Sequence, residues 1–497
     1  ATMALLLLMA GALLVCILLR ASFLRNNLPP GPIPLLTIIQ ALLNNKDSKD
    51  DYMRKLFSKH GPIMTLYGGL KPIVFVLHSA AHEAMFQKGL VFSSRPQVTE
   101  ALSLLYVNRN AISLSPNGPV WRLLRGNLSA KLMTSSAIKS FGPAREWSWG
   151  VLKKRIESYS PDKPLPVMDT FEFMMYSLLC YICFARKIED EELISNLIDI
   201  HAKLVSSGFS WELNSLGGKF LFRKKWEKYM NECKTRDRLF LPLVQQRRKE
   251  AESGKDSSLC YVDTLFDLQI PGEKEKLSDM HVVGLCSEIL IGGAHTTTAV
   301  SQWIMGNLMK YPRIQEKLYD EIVKVIGLEA ETMSEENCKR IPYLQAVVLE
   351  GLRRHPLGYA VIPHATSEDA TLNGYSVPKD TTVMFVTQEA GLDPRIWEDP
   401  MEFRPERFLN EIGEGGEVHF DVVGSKEIKM MPFGAGKRVC PGYQLGLLHL
   451  EYFIGNMVLN FDWKTVNGED VDLEAAEIFS KMMVMKKPLM ALVTPRR

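Results

Sequence analysis

The chain has 497 residues, 46% of them hydrophobic and 23% charged, with a formal net charge of +2. That is the composition of a globular protein with a large core, and its eight scattered cysteines exclude a disulfide framework and favour free thiols in a reducing compartment. The charge balance does not by itself decide for or against nucleic acid, because local patches matter more; no nucleic-acid partner is expected.

The first nineteen residues, ATMALLLLMAGALLVCILL, carry no charge. As a helix they would span roughly 28 Å, close to the ~30 Å hydrocarbon core of a bilayer. Arg20 and Arg25 follow this run rather than precede it. That order predicts a retained transmembrane helix over 1–24 with the bulk of the chain in the cytoplasm, not a cleaved signal. Residues 25–34 hold Pro29, Pro30, Pro32 and Pro34, which read as a stiff extended spacer. The body of the chain is then 35–497.

In that body DSKDDYMRKLFSKHG predicts a surface helix, capped by Asp47 or Ser48 and ended by Gly61. IMTLYGG and IVFVLHS predict a β-hairpin. From about 80 to 350 the pattern is mostly helical, and FLFRKKWEKYMNECKTRDR reads as a basic amphipathic helix with a solvated face. Cys180 and Cys183 form a CxxC inside the apolar run MMYSLLCYICF, with no second CxxC and no histidine nearby, so a core helix is expected there. Short strands return in ATLNGYSVPKDTTVMFV, followed by a loop-rich tract to residue 442. Length alone would allow two or three domains, but the organisation reads as one mixed body, mostly α with a minor β part.

Two stretches carry chemistry. In PFGAGKRVCPG, residues 432–442, a cysteine follows a glycine-rich basic loop and precedes an apolar helical run. Pro441 suits the first turn of a helix, which would set Cys440 at a helix N-terminus, where the dipole stabilises a thiolate. Gly434 and Gly436 let the backbone pass close to a flat ligand, and Arg438 could pair with an anionic group on it. A soft thiolate beside a cationic arginine suits a haem iron and its propionates. The second stretch, GGAHTTT at 292–298, interrupts an apolar helical run with residues that are poor helix formers.

FGAGKRVCPG, from Phe433 to Gly442, resembles the haem-loop pattern FxxGxRxCxG of the cytochrome P-450 superfamily. Three further motifs of that superfamily occur in its order: WxxxR as Trp121 and Arg125, ExxR as Glu350 and Arg353, and PERF from Pro405 to Phe408. The resemblance covers essentially the whole chain and is closest to plant A-type members, family 89 above all. It implies the cytochrome P-450 fold as a single catalytic domain over 35–497, with Cys440 as the metal ligand of haem b. Trp121, Arg125, His364, Phe433, Arg438 and Gly442 are implied as further haem contacts, and Glu350, Arg353 and Arg407 as a buried charge network.

The resemblance also lays GGAHTTT across the haem face opposite the cysteine, with an irregular turn that opens a groove for dioxygen. Gly292, Gly293, Thr296 and Thr297 fit the pattern (A/G)-G-x-(D/E)-T-(T/S), whereas His295 replaces its acid. Thr296 is the implied oxygen-side alcohol. His295 is open to three readings: a proton relay, a filler beside relaying water, or the mark of a changed reaction. The implied substrate pocket takes Tyr106, Ala294, Leu357, Tyr359, Val361, Phe479, Met482 and Met483, which suits a mainly apolar substrate.

The implied activity is a monooxygenase of the endoplasmic reticulum membrane. It is fed electrons from NADPH by NADPH-cytochrome P-450 reductase, since the chain holds no flavin or nicotinamide motif, and Lys437 is one candidate contact for that partner. Two other uses of the chain stay open: isomerisation or dehydration of a preoxidised substrate, and haem-based ligand sensing.

Overall fold

A computed structural model of the chain describes residues 11, 27–32, 49–68, 71–106, 110–215, 217–254, 258–272, 274–411, 413, 418–478 and 482–496. These are mostly helical with a minor sheet part. Apart from residue 11, the expected anchor over 1–24 lies outside the described residues. The chain divides into two compact units, each assembled from three stretches.

The first unit comprises Ala1–Gln97, Gly358–Pro400 and Asp421–Cys440. Strands β1 (Ile63–Gly68) and β2 (Lys71–Val76) form the expected hairpin, in register from Ile63 opposite Val76 to Gly68 opposite Lys71. Strands β3 (His364–Ala365) and β4 (Thr382–Phe385) complete a sheet of order β1-β2-β4-β3, in which β2 and β4 run parallel. One face buries Ile63, Val74, Val76, Val383 and Phe385 against Phe92 and Met431. The segment Ala370–Leu372 turns back on Tyr375–Val377 through Asn373 and Gly374, both at positive φ, the turn that a two-residue hairpin demands.

The helix Lys49–His60 ends at Gly61 as expected, with the Gly61 N–H donating to the Phe57 carbonyl at 2.9 Å; its expected caps lie outside the described residues. The proline spacer does not stand clear of this unit. Leu28 is buried, and the Pro30 carbonyl accepts from the Thr65 N–H at 2.9 Å. A Cβ on Gly31 would fall 2.0 Å from the Thr65 carbonyl oxygen, so only glycine allows that approach.

The second unit comprises Val98–Leu357, Met401–Phe420 and Pro441–Arg497. Its principal helices are α1 (Pro119–Leu132), α2 (Val167–Phe184), α3 (Glu191–Gly208), α4 (Arg223–Glu252), α5 (Asp279–Lys310), α6 (Pro342–Arg354) and α7 (Tyr443–Asn460). Pro at the first turn starts α1 and α6, and the Ser278 hydroxyl accepts from the His281 N–H to cap α5. Helix α2 is apolar nearly all round and mostly buried, with Cys180 and Cys183 buried in it, so the CxxC is core. Helix α4 shows the expected two faces: Trp226, Tyr229, Cys233 and Phe240 are buried and its lysines are outside.

Helix α5 packs along α2, α4 and α7. It passes through GGAHTTT as one unbroken α-helix, so the irregular turn expected there is absent. Two local contacts accompany these residues. The Thr296 hydroxyl donates back to the Gly292 carbonyl at 2.7 Å, and a Cβ on Gly293 would lie 2.9 Å from Leu179 Cδ1, so glycine lets α2 close in. Helix α7 begins at Tyr443 with Gly442 as its N-cap. Pro441 therefore precedes the cap rather than occupying the first turn.

Candidate active site

The thiol loop lies in the first unit. Gly434 and Gly436 sit at φ of +67° and +63°, and a Cβ on Gly436 would fall 2.3 Å from the Met85 carbonyl oxygen. Glycine at both positions is therefore a requirement of the loop's path. The loop closes with the Cys440 N–H donating to the Phe433 carbonyl at 2.8 Å, which ties together the two ends of the motif. Among the described cysteines Cys440 alone is not buried. Burial pushes the thiols of Cys180, Cys183, Cys233, Cys260 and Cys338 upward, which keeps them protonated and inert.

Around the loop the chain gathers three donors. The Arg438 Nε donates to the Ser93 carbonyl at 2.7 Å. The His364 Nδ1 donates to the Phe92 carbonyl at 2.7 Å, with its ring edge-on to Phe385. Arg95 joins them: its Nη1 donates to the carbonyls of Ile362 at 2.7 Å and Pro363 at 2.9 Å. Burial and then the neighbouring Arg438 hold the Arg95 pKa well below its usual value, and burial and then Arg95 do the same to His364. Arg95 is a residue that sequence reasoning missed; its only signal was an arginine before Pro96 in a loop of no periodicity. Lys437 is exposed.

The second unit holds the remaining expected residues. Trp121 is buried and Arg125 half-buried, one turn apart on α1. Arg353 grips Glu350 with two donors, Nε at 2.7 Å and Nη2 at 2.8 Å, and both side chains are fully buried. The Arg407 Nε reaches Glu350 at 3.1 Å, and the Arg404 backbone N–H adds a bond of 2.8 Å. On α5, His295 meets Glu172 of α2 across 2.5 Å.

The expected pocket residues scatter more. In the second unit Ala294 is fully buried, and the Leu357 carbonyl accepts from the Met483 N–H at 2.7 Å. Met482 and Met483 are half-buried on the strand Met482–Met485. Tyr106 lies near Glu288, and burial followed by that carboxylate pushes its hydroxyl pKa up. Tyr359 and Val361 belong to the first unit, where the Tyr359 carbonyl accepts from the Thr387 N–H at 2.9 Å and Val361 donates to Phe385 at 3.0 Å. Phe479 lies outside the described residues.

The cytochrome P450 family pattern matches residues 29–493. The chain belongs to the cytochrome P450 family. It is 41% identical to cytochrome P450 89A9 of Arabidopsis thaliana, over 96% of this chain and 95% of that one, which supports plant P450 family 89. It is also 30% identical to salviol synthase of Salvia pomifera, covering 90% and 88% of the two chains. Identity to ent-cassadiene C11-alpha-hydroxylase 1 of Oryza sativa subsp. japonica is 30%, over 97% of each. This P450 is thus a monooxygenase of plant metabolism, and its family implies a haem and a redox partner reductase.

The donor set fits a haem. One half-buried thiol stands in a glycine-shaped loop, and the guanidiniums of Arg95 and Arg438, near enough that one lowers the other's pKa, suit a ligand that carries two carboxylates.

Proposed function

We propose that this P450 inserts one oxygen atom of dioxygen into an apolar plant specialised metabolite, using NADPH through a separate reductase. The net reaction is RH + O2 + 2e− + 2H+ → ROH + H2O. The observation that carries this reading is the half-buried Cys440 held in the glycine-shaped FGAGKRVCPG loop. Bound haem b would supply the redox chemistry, reducing dioxygen and passing one oxygen atom to the substrate.

The chain's own residues bind, orient and deliver protons. Cys440 is the proposed iron ligand. Arg95, Arg438, His364, Trp121 and Arg125 are the proposed holders of the propionates, and a carboxylate beside His364 would oppose the burial that now keeps it neutral. The Thr296 Oγ1, its proton donated to the Gly292 carbonyl, is left with lone pairs that would accept a hydrogen bond on the oxygen side. Tyr106, Leu357, Tyr359, Val361, Met482 and Met483 are proposed to face the substrate with mainly apolar surface. Lys437, exposed within the thiol loop, is a proposed reductase contact, and residues 1–24 the anchor in the endoplasmic reticulum membrane.

The test is spectroscopic and catalytic. Reduced enzyme with carbon monoxide should show the thiolate spectrum, Cys440→Ala should lose it, and product should require both reductase and NADPH. A thiolate spectrum that survives Cys440→Ala would overturn the ligand assignment. Product formed without reductase or NADPH would instead favour the isomerase reading.

A further inference from the structure

Helix α2 is apolar along its length and carries two acids, Asp169 and Glu172. A carboxylate set into such a helix is costly unless another group compensates it. Glu172 is 12% exposed, and its Oε1 lies 2.5 Å from the Nδ1 of His295, itself 18% exposed. The contact therefore joins α2 to the one residue of GGAHTTT that departs from the family pattern. The alcohol of that pattern, Thr296, is the next residue along α5.

Further proton-bearing groups lie on the same helices and on α3. Asp169 is exposed one turn nearer the start of α2, and partial burial followed by Glu172 raises its carboxyl pKa. Tyr176, one turn beyond Glu172, has its hydroxyl 3.0 Å from the Nδ1 of His201 on α3, and the His201 Nε2 lies 2.9 Å from the Ser287 hydroxyl on α5. Burial, Arg236 of α4 and His295 push the His201 pKa down to about 3, so that imidazole is neutral. The contact made by His295 is with Glu172 of α2, while His201 of α3 is held by Tyr176 and Ser287.

We propose that Glu172 supplies from α2 the acid that α5 lacks, and that it passes protons through His295 toward Thr296 during dioxygen reduction. This rests on the monooxygenase reading above. Both protons of RH + O2 + 2e− + 2H+ → ROH + H2O come from solvent by way of Glu172, and both electrons come from the reductase. An imidazole that takes a proton at Nδ1 releases one from Nε2, so the pair moves protons while each side chain keeps its place. Glu172 acts through His295 and is a positioning residue.

The test uses full-length haem-loaded enzyme with reductase, following NADPH oxidation without added substrate in light and heavy water. Glu172→Gln should slow NADPH oxidation about ten-fold or more and enlarge the solvent isotope effect, with the reduced carbon monoxide spectrum unchanged. His295→Asp alone should also be slower than the parent, because its carboxylate would sit beside Glu172. The double variant His295→Asp with Glu172→Gln should return to within about three-fold of the parent, since it restores the family's acid. In unfolding experiments that need no turnover, Glu172→Gln and His295→Asn should shift the midpoint less together than the sum of their separate shifts.

An unchanged rate in Glu172→Gln, or a double variant as slow as Glu172→Gln, overturns the relay. A parent enzyme without the thiolate spectrum, or one that oxidises no NADPH with reductase, overturns the monooxygenase reading instead.

Discussion

Single residues set the chemistry here, and they differ in how visible they are along the chain. Cys440 announces itself, because its glycines and basic neighbours lie within eleven residues. His295 is visible as a departure from a pattern, but its meaning depends on Glu172, which lies 123 residues away. Nothing in FEFMMYSLL marks Glu172 as more than a stray acid on a core helix. Arg95 is hidden in the same way, since its partners in the first unit come from the Ile362–Pro363 turn and the thiol loop. Replacing it by Met should leave the fold intact and weaken haem retention by about ten- to a hundred-fold, the worth of a hydrogen bond to a charged group. The haem-to-protein ratio after dialysis against apomyoglobin measures this, and a ratio equal to the parent's would remove Arg95 from the haem site.

Elements carry what short-range spacing can encode. Glu350 and Arg353 are one helical turn apart on α6, so their pairing was legible as ExxR. The third member is not a matter of spacing: Arg407 arrives on the short 3-10 turn Pro405–Glu411, which also turns the Arg404 N–H onto the same carboxylate. Burial is the main influence on Arg407, and it lowers the pKa against the opposing pull of Glu350. Glu350→Gln would leave the guanidinium of Arg353 buried without its counter-charge. We expect a loss of about 3–5 kcal/mol in chemical unfolding; a change below about 0.5 kcal/mol would show that the network is not structural. Helix α5 shows the converse case. The residues of GGAHTTT are poor helix formers, yet the helix continues through them, with Gly293 letting Leu179 of α2 close in. The Glu288 carboxylate on the same helix accepts from the N–H groups of Ile112 at 2.9 Å and Ser113 at 2.7 Å, which ties the 110–115 loop to α5.

The whole molecule stores several histidines as buried neutral groups: His201, His355, His364 and His449, each with its pKa held down first by burial. A folded-state pKa below the unfolded value of ~6.5 means that the unfolded chain binds the extra proton as pH falls. The stability such a group contributes is therefore complete above about pH 6.5 and is lost on acidification toward the folded value, about 3 for His201. Unfolding free energies measured from pH 7 to pH 4 should fall by about 1.4 kcal/mol per pH unit for each histidine in its window. His201→Asn should remove one such share of the slope, and an unchanged slope would show that His201 is not buried neutral.

Taken by itself, the sequence determined the family, the helical majority, the β1–β2 hairpin, the glycine-shaped thiol loop and the i,i+3 acid–base pair. All of these are written in residues close along the chain, where the periods of helix and strand translate spacing into geometry. Tertiary structure alone decided the company those residues keep. It set Arg95 beside Arg438, brought Arg407 to Glu350, and set Glu172 of α2 against His295 of α5. Such pairings follow from how distant elements pack, and a buried charge accepts whatever partner that packing delivers.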